Sequence, residues 1–136
     1  MIVLLDTDIL IDLAISRQPF EQNAARVLDL SQQRLINAFI AWHSLSNFYY
    51  LISSPSGKET ALDFIKDLLT FVNIAPTTTA DARFSTRLNC PDFEDGLQMA
   101  AARAVDAEWI ITRNIKHYQN SPVPALPPGE FLSRFQ

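Results

Sequence analysis

The apolar positions of this chain fall into two alternating patterns. Short, almost continuous apolar runs occupy residues 2–5, 36–41, 71–74, 109–111 and 123–126. Runs of this length predict strands that are buried on both faces of a sheet. Because helical segments separate these runs, the pattern predicts an α/β fold, with a parallel sheet of about four or five strands flanked by helices.

The segments between the runs carry apolar residues at three- and four-residue steps, as amphipathic helices do. The predicted helices cover residues 9–15, 19–35, 42–52, 58–69, 80–88, 92–104 and 128–135. In the second helix, the stripe that should face the core consists of Phe20, Ala24, Val27, Leu28 and Leu35. Residues 53–57 predict a polar turn, and Ser44 or the residue before it is predicted to cap the third helix.

Composition narrows the class of protein further. The 136 residues suit a single domain over 1–136, and the net charge of −4 argues against a non-specific electrostatic grip on nucleic acid. The single Cys90 excludes an internal disulfide, and the chain has no Cys/His spacing typical of zinc. No apolar run approaches the roughly 18 residues of a membrane span, so we expect a cytoplasmic protein with no membrane partner.

Two carboxylates, Asp6 and Asp8, follow the first strand directly. In open α/β sheets the carboxyl ends of the strands form the edge at which ligands bind. A carboxylate beside a buried strand is costly unless a cation or hydrogen-bond donors meet it. Asp is also a favoured N-cap, so capping of the next helix and metal binding are both open interpretations.

Further polar side chains are predicted to reach the same edge. Asn47 lies near the start of the helix after the second strand, and Thr112 and Asn114 follow the fourth strand. The helix start at 92–95 adds Asp92, Glu94 and Asp95, which is more acidic residues than capping requires. Hard oxygen ligands of this kind suit Mg²⁺ or Mn²⁺, which can polarise a phosphoryl oxygen and activate water.

Four segments carry a family resemblance. They are Leu5-Asp6-Thr7-Asp8-Ile9-Leu10-Ile11-Asp12, Ser44-Leu45-Ser46-Asn47-Phe48-Tyr49-Tyr50, Asp92-Phe93-Glu94-Asp95-Gly96-Leu97-Gln98 and Thr112-Arg113-Asn114-Ile115-Lys116. In this order and at this spacing, the chain resembles a PIN domain over essentially its full length, close to the VapC-like bacterial subgroup. The resemblance implies a three-layer fold and an endoribonuclease that depends on Mg²⁺ or Mn²⁺.

The resemblance also implies residue roles and partners. Asp6, Asp95 and Glu94 would be metal ligands, with Asn47 and Asn114 completing the catalytic set. The predicted substrate-binding residues are Arg113, Lys116, His117, Thr112 and Asp92. Many members of the subgroup are toxins, so we expect an RNA substrate, a cognate antitoxin and a homodimer.

Two departures from the family pattern lead to an alternative. Asn47 stands where much of the wider family has Glu, and His117 stands where Asp is usual. Both changes remove a carboxylate, so a degenerate PIN domain that binds RNA or protein without cleaving is the alternative function. A haloacid dehalogenase type of phosphatase also fits the Asp6-Thr7-Asp8 run, but the chain has no matching Lys before a late acidic pair.

Overall fold

The structure is a computed structural model that describes residues 1–135, and its centre is a five-stranded sheet. The strands are β1 (Ile2–Leu5), β2 (Asn37–Ile40), β3 (Asn73–Ile74), β4 (Trp109–Ile111) and β5 (Ala125–Leu126). All neighbours pair in parallel, in the order β3-β2-β1-β4-β5. The predicted parallel α/β fold is therefore confirmed, with the two shortest strands at the edges.

Within residues 1–135, seven helices surround this sheet. They are α1 (Thr7–Ala14), α2 (Glu21–Gln32), α3 (Trp42–Ser56), α4 (Lys58–Leu68), α5 (Thr79–Arg87), α6 (Phe93–Ala104) and α7 (Pro128–Phe135), and a 3-10 turn covers Ile115–Tyr118. Among residues 1–135, no helix has the length and apolar character needed to cross a membrane.

Successive side chains of β1 point to opposite faces of the sheet, so the core has two layers. Val3 and Leu5 are fully buried in a cluster with residues of α1 to α4 and α7, whereas Leu4 packs on the opposite face with Met99 of α6. A strand with apolar side chains on both faces needs cover on both, which explains its continuous hydrophobic run. The chain moves outward from β1 through β2 to β3 and then crosses to β4, so the strand order reverses beside β1. That reversal opens a crevice at the carboxyl ends of β1 and β4.

Three local expectations from the sequence are wrong. The predicted turn at 53–57 is helical, because α3 continues through Ser56 and the chain turns only at Gly57, where φ is +90°. Leu35 is 54% exposed rather than part of the core stripe, because α2 ends at Gln32 and the positive φ of Arg34 breaks the helical period. Phe20 is likewise exposed.

The predicted cap of α3 is also wrong. Ala41, with an extended backbone, occupies the N-cap position and makes no side-chain hydrogen bond to the helix. Ser44 lies inside the helix and is fully buried, and its hydroxyl contacts Thr7 and Gln98 instead. The polar side chain that resembled a cap therefore joins α3 to its neighbours.

Candidate active site

An acidic pocket of about 490 Å³ opens at the carboxyl ends of β1 and β4. It collects most of the predicted site residues, together with the side chains of Ile11, Tyr50 and Leu51. Its lining consists of Asp6, Thr7, Asp8, Ile11, Asn47, Tyr50, Leu51, Asp92, Glu94, Asp95, Asn114 and His117. Residues separated by up to about a hundred positions in the chain thus meet because three strand ends and the start of α6 share one edge.

Asp6 is held by three donors and is almost buried. One carboxylate oxygen accepts from the Thr7 backbone N–H at 2.7 Å, and the other accepts from the Thr112 hydroxyl at 2.8 Å and the Tyr118 hydroxyl at 2.9 Å. The first contact confirms that Asp6 caps α1. Capping uses only one of the two oxygens, so it does not decide against metal binding by the same side chain.

Tyr118 is a contact that the sequence analysis missed. Burial, followed by the negative charge of Asp6, raises the pKa of its hydroxyl, which therefore stays protonated as a donor. A tyrosine 112 positions away from Asp6 gives no local signal in the sequence. The only available hint was the buried, apolar setting expected for an aromatic residue after a core strand.

Asp8 is fixed by the segment that follows β4. One of its oxygens accepts from the Arg113 backbone N–H at 3.0 Å and from the Asn114 side-chain amide at 3.2 Å. The other oxygen, Oδ1, is buried and has no hydrogen-bond partner within residues 1–135. Burial, together with the charge of Asp6, raises the pKa of Asp8 to about 7. The carboxylate lies in an environment that penalises its negative charge.

The first turn of α6 supplies the other carboxylates. Asp92 caps the helix, because its side chain accepts from the Glu94 N–H at 2.9 Å. Glu94 accepts from the Asn47 amide at 2.7 Å, and Asp95 lies 3.2 Å from Nδ1 of His117. Each of the two predicted ligands on α6 is therefore paired with one of the residues that depart from the family pattern.

Burial, and in addition to it the charge of neighbouring carboxyl groups, raises the pKa values of Asp95 and Glu94 in this turn. Burial raises the pKa of Asp95 to about 6, against the opposing effect of His117, and the charges of Asp6, Asp92 and Glu94 raise it further. Burial is also the main reason that the pKa of Glu94 is raised, with Asp92 and Asp6 adding to it. A cation near these groups would relieve both effects.

Arg113 lies elsewhere than predicted. Its guanidinium forms a two-point contact with Asp12, with Nη2 2.9 Å from Oδ1, and it stacks over the Phe20 ring at 4.1 Å. Asp12 is 1% exposed, so the pair is largely withdrawn from solvent. Asp8 and Asp12 are four residues apart on one face of α1, which draws the Arg113 side chain towards the helix. Arg113 is therefore not a free cation at the pocket rim.

The remaining predicted substrate-binding residues divide into two groups. Thr112 is fully buried and its hydroxyl donates to Asp6, and Asp92 is the cap of α6. His117 lines the pocket, and the exposed Lys116 lines a neighbouring depression with it. Of the predicted cationic rim, Lys116 and His117 remain accessible.

A buried polar cluster beneath the pocket was also missed. Gln98 donates to the Ser44 hydroxyl at 2.9 Å, and Thr7 donates to the same hydroxyl at 2.9 Å. These three side chains link the starts of α1 and α3 to α6, which are the elements that carry Asp6, Asn47 and Asp95. Buried polar side chains on otherwise apolar helix faces were the signal that could have revealed them.

The donor set suits a hard divalent cation in chemistry and charge. Carboxylate oxygens predominate, the buried Oδ1 of Asp8 lacks a partner, and three carboxyl groups have raised pKa values. Within residues 1–135, however, no three Asp, Glu, His or Cys side chains are grouped closely enough to hold an ion as they stand. Glu94 and Asp95 would have to move closer to Asp6 in order to share an ion with it.

This chain resembles a known protein family and several solved structures. A family model described as a PIN domain matches residues 2–116. No curated protein sequence gives a significant match. Among solved structures, the chain is similar to VapBC2 from Rickettsia felis, bound to a fragment of its promoter DNA, with a TM-score of 0.73 and 19% identity over 93% of this chain and 98% of that chain.

Two further solved structures have the same fold. A toxin–antitoxin complex from Klebsiella pneumoniae matches with a TM-score of 0.67 and 21% identity, over 93% of this chain and 97% of that one. VapC20 from Mycobacterium tuberculosis, described as a toxin that cleaves the sarcin-ricin loop, matches with a TM-score of 0.64 and 16% identity, over 79% and 86%. At these identities the likeness establishes the fold.

Proposed function

This chain belongs to the PIN-domain family, and from that membership and its acidic pocket we propose that it is a metal-dependent endoribonuclease. The observation that carries the proposal is the meeting of Asp6, Glu94 and Asp95 in one pocket at the carboxyl edge of the sheet. The raised pKa values of Glu94 and Asp95 support a site built for a cation, because burial, and after it the neighbouring carboxylates, disfavour the ionised form of each group.

Asp6, Glu94 and Asp95 would hold the ion. When bound, Mg²⁺ or Mn²⁺ supplies positive charge that polarises a phosphoryl oxygen and favours deprotonation of water. The protein supplies the positioning. Thr112 and Tyr118 aim one oxygen of Asp6 while the Thr7 N–H holds the other, so this carboxylate is oriented before any ligand arrives.

The substrate would be RNA, bound through its phosphates by Lys116 and His117. Both side chains are exposed beside the acidic pocket, and the positive charge of Lys116 would offset the repulsion between RNA and the carboxylates. Asn114, which donates to Asp8 and lines the pocket, has its remaining amide capacity free for a phosphate or water. Asn47 likewise donates to Glu94, and a bound ion would take the place of that hydrogen bond.

The biological setting that we propose is a toxin–antitoxin pair. One of the similar structures is a toxin–antitoxin complex, and another is a toxin. A cognate antitoxin would prevent cleavage in the cell until it is removed. The homodimer expected from the family resemblance remains a prediction for this chain.

The degenerate PIN domain is the second candidate, and a specific observation favours it. Asn47 and His117 occupy Glu94 and Asp95 through direct contacts at 2.7 and 3.2 Å, and no three-ligand group is assembled among residues 1–135. If these contacts are too stable for an ion to displace, the pocket would bind RNA or protein without cleaving it.

A cleavage and binding experiment separates the two candidates. The purified chain and the Asp95→Asn variant are incubated with single-stranded RNA, and with DNA of the same sequence, in Mg²⁺ or Mn²⁺. The proposal expects RNA fragments from the wild type and none from the variant. Tight RNA binding by both proteins without any fragments would reject the nuclease in favour of the binding module.

A further inference from the structure

A second pocket lies along the same edge of the sheet and shares no lining residue with the acidic one. It has a volume of about 230 Å³ and lies where β2 and β3 end, between the first turns of α3 and α5 and the middle of α6. Small side chains, namely Ala41, Ala82, Ala100 and Ala101, form much of its wall, with Leu97 beside them. The proposed chemistry at Asp6 makes no use of this pocket.

Trp42 stands at the mouth of this pocket and is 70% exposed. An indole is a large apolar side chain whose exposure costs hydration free energy, so a tryptophan this exposed on a packed domain calls for a reason. It cannot serve the core, because the core-facing positions of α3 are taken by Phe48 and Ile52. An aromatic face left open beside an apolar depression is the usual arrangement for a stacking platform.

The strand register sets the distance to the acidic site. Leu4 is opposite Phe39 in the β1–β2 pair, so two positions further on Asp6 is opposite Ala41. Neighbouring strands lie about 4.8 Å apart, which puts Trp42 one strand and one residue from Asp6. The charge of Asp6 also acts on the ring of His43, which agrees with this closeness. A polynucleotide with a phosphate at Asp6 would bring a neighbouring nucleotide to Trp42.

The lining selects a neutral, flat group over a phosphate. Within residues 1–135, Asp81 is the only side chain of this lining with a formal charge at neutral pH, and it would repel an anion. Its carboxylate already accepts from the Thr78 backbone N–H at 2.9 Å. Burial lowers the pKa of His43, so its ring is neutral, and its Nε2 is buried without a hydrogen-bond partner within residues 1–135. The pocket thus combines an aromatic platform, an apolar wall and a few neutral polar groups.

We propose that this second pocket is a subsite for one unpaired nucleobase of the RNA, which stacks on Trp42 beside the scissile phosphate. The proposal rests on the proposed ribonuclease function and deepens it, because it restricts the substrate to single-stranded or looped RNA. A base in a duplex is covered on both faces by its neighbours and cannot enter such a pocket. Base-paired RNA of the same sequence should therefore bind more weakly.

Binding without cleavage provides the test. In EDTA, the affinities of the wild type, Trp42→Ala and Trp42→Phe are measured by fluorescence anisotropy of an end-labelled single-stranded hexaribonucleotide and of a set of labelled hexamers that each carry one abasic nucleotide. Trp fluorescence is followed in parallel, and Trp109, which lies in β4, remains in both variants as the reference for quenching that does not come from Trp42. Leu35→Ala is the matched control, because it removes another exposed apolar side chain away from both pockets.

We expect the wild-type signal to be quenched saturably and the affinity of Trp42→Ala to fall roughly 5- to 100-fold, in line with the usual worth of base–aromatic stacking. Trp42→Phe should recover most of that affinity, Leu35→Ala should bind like the wild type, and one abasic position should remove the difference between wild type and Trp42→Ala. The same hexamer annealed to its complement should bind less tightly than the single strand.

Equal affinity of wild type and Trp42→Ala for the intact hexamer would overturn the subsite. So would a Trp42→Ala variant that loses a dimer in sedimentation while its RNA affinity is unchanged, since Trp42 would then be a contact between two copies of the chain. A chain that stacks the base on Trp42 but never cleaves RNA would instead refute the nuclease and leave the subsite standing.

Discussion

Removal of the Arg113 guanidinium should destabilise the fold far more than removal of a surface charge. Asp12 is 1% exposed, and Arg113, itself 21% exposed, is its two-point partner. Arg113→Ala would leave a buried carboxylate with only Arg17, at 3.8 Å and largely in solvent, to compensate for it. Breaking one side of a buried pair costs about 3–5 kcal/mol, and Arg17 should hold the loss near the lower end of that range.

The fold explains why this pair matters beyond its own energy. The backbone N–H of Arg113 donates to Asp8, and the next residue, Asn114, reaches the same carboxylate. The pair therefore fastens the segment after β4 to α1, outside the lining of the acidic pocket. Loss of the side chain should loosen Asn114 together with the stability of the domain.

Urea or thermal unfolding measures the effect. For a domain of this size, a loss of about 3 kcal/mol lowers the melting temperature by roughly 10 °C. Glu130→Ala is the matched control, because it breaks an exposed pair with Arg134 at 2.9 Å, which should cost less than about 1 kcal/mol. The double variant Asp12→Leu/Arg113→Met should be more stable than Arg113→Ala, since no charge is then left buried. A loss below about 1 kcal/mol for Arg113→Ala, or a double variant no more stable than Arg113→Ala, would refute this reasoning.

Three further predictions concern the acidic pocket. Asp95→Asn should raise the melting temperature of the metal-free protein above pH 6 but not below pH 4. The pKa of Asp95 is raised from 3.8 to about 6, so its ionisation between these pH values destabilises the folded state. Thermal scans of both proteins across this pH range check the prediction, and a difference in melting temperature that does not change with pH would contradict it. Tyr118→Phe should reduce the cleavage rate with little change in RNA affinity, since it removes one donor that aims Asp6; an unchanged rate would contradict a positioning role. Lys116→Ala should weaken RNA binding and reduce the slope of the salt dependence of that binding by about one. Titrations at several salt concentrations measure this slope, and an unchanged slope would show that Lys116 contacts no phosphate.

The sequence predicted those parts of the fold that follow from burial on both faces. β1 and β4 are continuous apolar runs, and each is immediately followed by polar residues, so both the strands and the edge that carries the site were readable. The ends of helices were less so. Leu35 keeps the spacing of the α2 stripe, but the left-handed backbone of Arg34 takes it out of the helix, and no period in the sequence reveals that.

The candidate site was predictable in position but not in its contacts. Asp6, Asn47, Asp95 and Asn114 do line one pocket, as expected from strand ends and a helix start that share an edge. The Arg113 side chain lies against Asp12 and not at the rim, because a position just past the fourth strand does not decide which of several acidic partners a long side chain will reach. Its partner on α1 could have been identified from the helical spacing of Asp8 and Asp12, whereas the Tyr118–Asp6 contact depends on the tertiary fold.

Restoring the ion to protein stripped with EDTA shows whether the acidic pocket is a metal-dependent ribonuclease centre. Cleavage of a single-stranded RNA and the melting temperature are followed together as Mn²⁺ is added to the wild type and to Asp6→Asn. We expect cleavage and a rise in melting temperature to appear over the same ion concentrations in the wild type, and we expect Asp6→Asn to show neither. Cleavage that persists in EDTA, or an equal metal-induced shift in both proteins, would contradict it.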